Sequence, residues 1–188
     1  MGKDCKSLET KAENGDVTAQ IELGHMYLNG EKDVTPDFKE AFKWYRKAAE
    51  QEDAEGQYCL GYMYQCVDGW WQPSRREIDY DEAMKWYLKA ADQGHAPSQL
   101  FLGWMYKNGD GVPKGNKEAF NWIRKAAAEE YYSAQLELGK MYANGRGVEK
   151  DEKEAIKWFN KAAWQGYIDF GVYHYNEAAA ELEKLSNK

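Results

Sequence analysis

Residues that could carry out chemistry are few and scattered in this sequence. The three histidines, His25, His95 and His174, stand far apart, and neither His-Glu-x-x-His nor Cys-x-x-Cys occurs as a metal-binding spacing. The glycine-rich segment 109–115 lacks the Lys-Ser/Thr pair that completes a phosphate-binding loop. The Gly-x-Ser-x-Gly pattern of a nucleophilic serine is also missing. These observations favour a non-enzymatic protein without a metal site or cofactor.

Paired carboxylates are the one catalytic arrangement that the sequence leaves open. The chain has 32 Asp and Glu residues, and two of them facing each other with raised pKa values could act as acid and base. Such a protein would be a hydrolase, for example of a bacterial polymer. Spacing alone does not separate a catalytic pair from a solvated surface, so this stays an alternative.

Charge and composition narrow the choice of partner and compartment. The net charge of −7 argues against nucleic acid, because phosphate binding needs a concentrated positive surface. No run approaches the roughly 18 apolar residues of a membrane span, and the first residues lack the apolar stretch of a signal peptide. Three cysteines suit a reducing compartment. We expect a cytoplasmic protein, or a periplasmic or secreted one if an N-terminal signal has been removed.

A five-letter pattern, Leu-Gly-x-Met-Tyr, recurs four times and indicates how the chain is organised. The copies lie at 23–27, 60–64, 102–106 and 138–142. A tryptophan followed by two alanines comes after each copy, at Trp44, Trp86, Trp122 and Trp158. The third and fourth units are nearly copies, since 102–127 recurs 36 positions later with sixteen of the 26 letters identical. A period of this length predicts a repeat architecture.

Each repeat has the sequence pattern of two helices. In the first, Leu102 and Tyr106 share a face, and the helix ends at an Asn-Gly pair that suits a left-handed cap. In the second, Ala119, Trp122 and Ala126 form one apolar stripe between charged residues. Strand-like alternation is missing from the sequence. The pattern therefore predicts an all-α fold.

This arrangement resembles the Sel1-like repeat family, a relative of the tetratricopeptide repeat. The resemblance rests on Leu-Gly-x-Met-Tyr, Asn-Gly-x-Gly-Val and Glu-Ala-x-x-Trp, over roughly residues 12–167. It implies a right-handed α/α superhelical solenoid of four helix-turn-helix repeats in a single domain, 1–188. The repeats would span approximately 17–52, 53–94, 95–130 and 131–166, after an N-terminal half-helix and before a C-terminal capping helix at 167–188. Family members bind other proteins on the concave side that the first helices form.

The variable letter of Leu-Gly-x-Met-Tyr predicts the binding surface. Trp104 lies about 200° around its helix from Leu102, so it cannot share the core face. We expect a concave groove with an aromatic centre, lined by Ile21, His25, Tyr58, Tyr62, Leu100, Trp104, Lys107, Leu136 and Lys140. The two lysines would select acidic contacts at one end. Trp104 has a second interpretation as scaffold packed between neighbouring first helices.

The second repeat carries a longer connector that could also bind a partner. The first alanine of the stripe lies 13 positions after Tyr in repeats three and four, but 19 positions after it in repeat two. The added segment contains Trp70, Trp71, Arg75 and Arg76. Long connectors in compact repeats are often functional. The two indoles either form an exposed binding arm or fold back onto the repeats, because adjacent exposed tryptophans reduce solubility.

The sequence therefore favours a protein-binding adaptor that takes up a protein or peptide segment in the groove. The alternative is a dedicated inhibitor or immunity protein that binds one cognate toxin or enzyme. A second copy of the chain could also fill an apolar groove, which would make the protein self-associate.

Overall fold

The computed structural model describes residues 3–31, 34–65, 79–170 and 172–186. Within these ranges the chain forms ten α-helices and no β-strand. The helices are α1 (Lys3–Glu13), α2 (Val17–Asn29), α3 (Phe38–Glu50), α4 (Ala54–Gln65), α5 (Tyr80–Asp92), α6 (Ala96–Asn108), α7 (Asn116–Ala128), α8 (Tyr132–Asn144), α9 (Glu152–Phe170) and α10 (Val172–Ser186).

The helices alternate between two kinds. The first helices α2, α4, α6 and α8 carry Leu-Gly-x-Met-Tyr, and the second helices α3, α5, α7 and α9 carry the tryptophan and alanine stripe. Each pair is one repeat, with α1 before the first pair and α10 after the last. The prediction of an all-α repeat solenoid is confirmed.

The chain divides into two compact units, residues 1–93 and 94–188. In the first unit, Leu23 and Met26 pack with Trp44, and Tyr45 packs with Leu60. In the second unit, one core cluster joins α6, α7 and α8, and another joins α8, α9 and α10. Ala178 of the terminal helix is fully buried there. Apolar burial of this kind is the main stabilising contribution in each unit.

Local signals set the ends of the helices, and these include the Asn-Gly pairs that the sequence predicts. The first helices α2, α6 and α8 end at Asn-Gly pairs, and the glycines at 30, 109 and 145 all adopt left-handed backbone angles. Each of these glycines donates its N–H to a carbonyl of the preceding turn. Asp37 and Asp79 accept backbone N–H groups at the starts of α3 and α5. These caps separate the two helices of a repeat at fixed positions.

The four anchor tryptophans each lie under a lysine from the same helix. The lysine follows three residues later in every repeat, and its ammonium lies 4.1–4.6 Å from the indole centroid, in the pairs Trp44–Lys47, Trp86–Lys89, Trp122–Lys125 and Trp158–Lys161. Such cation–π contacts contribute about 0.5–1 kcal/mol each at exposed sites. The lysine also covers part of the indole, which is half-buried in Trp86, Trp122 and Trp158 and 4% exposed in Trp44.

Glycine in Leu-Gly-x-Met-Tyr lets the second helix pack directly on the first. A Cβ at Gly139 would lie 2.6 Å from ring carbons of Phe159, which is closer than real contacts allow. The corresponding glycines Gly61 and Gly103 face Tyr87 and Ile123 at similarly short range. The missing side chain therefore sets the distance between the two helices of a repeat.

We expect Gly139→Ala to lower the free energy of unfolding by about 1–3 kcal/mol, because the added methyl group overpacks the contact with Phe159. Urea denaturation measures the change. In a Phe159→Ala background the same substitution should cost much less, since the ring it meets is gone and alanine is the better helix former. Equal costs in the two backgrounds would contradict this account of the glycine.

Candidate functional site

The first helices bury the Leu, Gly and Met of Leu-Gly-x-Met-Tyr, whereas the fixed Tyr is half-buried and the variable letter is half-buried or exposed. Leu60 is fully buried and Met63 is 1% exposed, whereas Tyr62 between them is 39% exposed. The other variable residues, His25, Trp104 and Lys140, are half-buried. The outward face of the first helices is therefore the surface that differs from repeat to repeat.

In the first unit, the other three predicted groove residues contact the core. Tyr58 is half-buried, with its ring 6.0 Å from that of Tyr87. Ile21 is half-buried and packs against the core cluster of α3 and α4. The imidazole of His25 is held by a 2.8 Å hydrogen bond between its Nδ1 and the Tyr45 hydroxyl. Tyr62 is thus the predicted residue that offers the largest exposed surface in this unit.

In the second unit, two residues predicted to contact a partner are buried instead. Leu100 and Leu136 are only 1% and 4% exposed and belong to core clusters, so a partner cannot reach them. A first helix packs on its own second helix and on the repeat or terminal helix that follows, which buries a wider face than one repeat suggests. Trp104 is half-buried and packs against the same core as Leu100. Its ring makes an edge-to-face contact with Phe101 at 5.0 Å, so Trp104 is scaffold with one accessible side.

The predicted lysines are joined to the protein's own carboxylates. Lys107 Nζ lies 2.7 Å from Glu137 Oε2, and Lys140 Nζ lies 3.5 Å from the other oxygen of Glu137. Lys140 also contacts Glu177 of α10 at 3.2 Å. Burial lowers the pKa of Lys140, but the two carboxylates outweigh it and the net pKa is raised. Any acidic partner must therefore compete with these internal ion pairs.

Sequence reasoning missed Glu137 and Glu177. Glu137 precedes Lys140 by three residues, a helical ion-pair spacing that the sequence does show. Its second partner lies 30 residues away and Glu177 lies 37 residues from Lys140, so only the fold brings them together.

A cavity of about 170 Å³ adjoins these ion pairs within the second unit. Charged and amide side chains line most of it, from Lys107, Asn116, Glu137, Lys140, Met141, Asn144, Arg146 and Glu181. Pockets for small organic ligands are typically larger, about 300–1,000 Å³, and mostly apolar. The cavity is therefore better suited to a side chain of a partner than to a small-molecule substrate.

The structure also brings three metal-binding side chain types together, although sequence spacing indicated no metal site. Donor atoms of His25, Glu55 and Cys59 all lie within 4.8 Å of one another. Burial and the neighbouring Glu55 carboxylate raise the pKa of the Cys59 thiol. A protonated thiol is a poor nucleophile, so Cys59 is not suited to nucleophilic catalysis.

The predicted binding arm of the second repeat, Trp70, Trp71, Arg75 and Arg76, lies outside the described residues. Among the described helices, none is both long and apolar enough to cross a membrane.

These features define an α-helical repeat solenoid. The helices form pairs, each second helix packs on a glycine of the first, and the outward face varies between repeats. The Sel1 repeat profile matches residues 17–53, 54–95, 96–131 and 133–167. The chain belongs to the Sel1 repeat family. Repeats of this family form scaffolds for interactions between proteins, typically without catalysis.

Solved structures of other proteins share the fold. A protective antigen of uropathogenic Escherichia coli is 34% identical over 94% of this chain and 41% of its own, with a TM-score of 0.76. A Sel1 repeat protein from Oxalobacter formigenes is 31% identical over 96% of this chain and 48% of its own, also at 0.76. This chain thus spans less than half the length of either protein.

An immunity protein of Pseudomonas aeruginosa, Pa5087, has the same fold at lower identity. It is 23% identical over 99% of this chain and 72% of its own, with a TM-score of 0.63. No curated protein matches the chain.

We expect Glu137→Gln to lower the free energy of unfolding by about 1–2 kcal/mol, because two partly buried lysines lose a common carboxylate. The control is Glu40→Gln, which breaks the exposed Glu40–Lys43 pair and should cost at most about 0.5 kcal/mol. Urea denaturation at low and high salt measures both. Equal losses for the two variants would show that the shared carboxylate has no special role.

Tyr132 gives the second unit a pH-dependent stability at alkaline pH. Burial raises its pKa from 10.0 to about 12, and Glu177 adds to the shift through its charge and a hydrogen bond. The folded chain holds this proton more tightly, so its stabilising contribution is complete below pH 10 and falls as the pH rises toward 12. The loss amounts to at most about 2 kcal/mol over that window, because solvent screens part of the interaction.

We expect Tyr132→Phe to lose correspondingly less stability than the wild-type chain between pH 10 and pH 12, as measured by urea denaturation. Glu177→Gln should remove part of the difference. Identical pH dependence in the wild-type and Tyr132→Phe chains would rule out this role.

Proposed function

We propose that this chain is a non-enzymatic scaffold that binds a protein or peptide segment through the outward face of its first helices. The observation that supports this proposal most strongly is the exposure of Tyr62, which lies between the buried Leu60 and Met63. A large aromatic side chain held at 39% exposure on a rigid helix costs little entropy to immobilise on binding. Tyrosine is also among the residue types that most often carry binding energy at interfaces.

The surroundings of Tyr62 support this role. Leu60, Gly61 and Met63 are buried, which fixes the helix that presents the ring. His25 and Tyr58 are half-buried, so polar and aromatic atoms remain accessible in the same unit. An apolar anchor with polar atoms at its rim is the usual composition of a binding surface.

The second unit contributes a surface of different chemistry. Trp104 offers an aromatic edge, while Lys107 and Lys140 are balanced by Glu137 and Glu177. A partner with an acidic side chain would exchange places with Glu177, whose side chain is 54% exposed. Interactions of this kind supply specificity more than affinity.

We expect Tyr62→Ala to weaken partner binding by about 30-fold, corresponding to roughly 2 kcal/mol for an interface anchor. The measurement is quantitative co-purification from the source cell, followed by titration calorimetry with the main partner recovered. Trp164→Ala is the matched control, because Trp164 is an aromatic residue that is 68% exposed on the second helix α9. Thermal unfolding must show that both variants remain folded.

Retention of the same partners by Tyr62→Ala, with loss in Trp164→Ala, would place the binding surface on the second helices instead. Recovery of one protein in equimolar amount would identify a dedicated inhibitor rather than an adaptor. A concentration-dependent sedimentation coefficient of the purified chain, abolished by Tyr62→Ala, would identify a second copy as the occupant of this surface.

A further inference from the structure

Two adjacent first helices of the first unit carry three side chains that could bind a metal ion. Glu55 and Cys59 are four residues apart on α4 and therefore share a face, and His25 approaches them from α2. Donor atoms of all three lie within 4.8 Å of one another, and Cys59 Sγ is only 3.7 Å from Glu55 Oε1. The cluster thus combines a nitrogen, an oxygen and a sulfur donor from two different repeats.

The separations are close to those of a tetrahedral zinc site. Zinc bonds of about 2.0–2.3 Å at tetrahedral angles place neighbouring ligand atoms roughly 3.3–3.6 Å apart. The sulfur–oxygen separation of 3.7 Å nearly meets this distance already. His25 and Glu55 are half-buried, so small side chain rotations can close the remaining distance without moving the helices.

The imidazole of His25 is held in place before any ligand arrives. The Tyr45 hydroxyl lies 2.8 Å from His25 Nδ1, and the two rings meet edge to face with centroids 5.4 Å apart. Tyr45 itself is 1% exposed, and the absence of a side chain at Gly24 leaves room for its ring. A fixed imidazole lowers the entropy cost of metal binding, as hydrogen bonds around metal ligands commonly do.

The repeat pattern does not require these residues. The positions equivalent to His25 hold Tyr62, Trp104 and Lys140, and those equivalent to Cys59 hold Glu22, Phe101 and Glu137. Within the described part of the chain, the combination of His, Glu and Cys is found between α2 and α4. The cluster is therefore specific to this pair of repeats rather than a general part of the fold.

We propose that His25, Glu55 and Cys59 bind a Zn²⁺ ion that links the first repeat to the second. Water completes the fourth position, and the Cys59 thiol releases its proton to solvent as the sulfur–zinc bond forms. A thiolate together with an imidazole favours zinc over calcium or magnesium, which prefer oxygen ligands. The ion would stabilise the stack of α2 on α4, beside the exposed Tyr62. This inference does not depend on the proposed scaffold function.

The experiment is a Co²⁺ titration of the full chain, because cobalt occupies zinc sites and gives a thiolate-to-metal charge-transfer band. Cys5→Ser and Cys66→Ser are introduced together, so that Cys59 is the single thiol. We expect this chain to show the band at one equivalent of cobalt and to lose it on addition of Zn²⁺. Absence of the band, or a band that persists after Cys59→Ser is added, would overturn the proposal.

Further variants test the other two ligands. His25→Gln and Glu55→Gln should each weaken metal affinity by at least about 100-fold, since even the loss of a hydrogen bond to a ligand commonly costs 10–100-fold. Glu50→Gln, which changes an exposed carboxylate on α3, is the control and should leave affinity unchanged. Zinc should raise the unfolding temperature of the control but not of the ligand variants.

Tyr45→Phe tests the positioning role of the hydroxyl, and we expect 10–100-fold weaker cobalt binding with the charge-transfer band retained. Circular dichroism confirms folding of each variant without metal. If Cys59→Ser fails to fold, Glu55→Gln carries the test, because its side chain is only half-buried. Unchanged affinity in both His25→Gln and Glu55→Gln would exclude the three-ligand site.

Discussion

The contact between a glycine of the first helix and a large side chain of the second determines the rest of this structure. Gly61 faces Tyr87, Gly103 faces Ile123 and Gly139 faces Phe159. Since a methyl group would already be too large, each second helix is held at one depth and one rotation. The buried Leu and Met on either side of each glycine follow from that placement, and so does the outward direction of the residue between them.

Much of the fold could be predicted because its signals are local. The Leu-Gly-x-Met-Tyr spacing, the Asn-Gly caps and the alanine stripe all act within one or two helical turns. The outward position of Tyr62 follows from the same helical geometry. The burial of Leu100 and Leu136 could not be predicted in this way, because it depends on how a repeat packs on the repeat or terminal helix that follows it.

The same limit explains what sequence reasoning missed at the candidate site. Glu137 and Lys107 meet across 30 residues, and His25 lies 30 residues from Glu55. Motif searches examine residues that are close in sequence, whereas a repeat protein assembles its sites from equivalent positions of successive units. Alignment of the repeats against one another identifies the positions, since His25 and Tyr62 align, but it does not show which side chains reach each other.

The lysine that contacts each anchor tryptophan has a consequence for how repeat proteins gain further repeats. Because Trp122 and Lys125 belong to one helix, the contact of the lysine with the indole is encoded inside the repeat. A tandem duplication of the coding segment therefore adds a unit that already contains this contact. Selection can then act on the few outward letters of the new copy, while the inherited remainder keeps the protein folded.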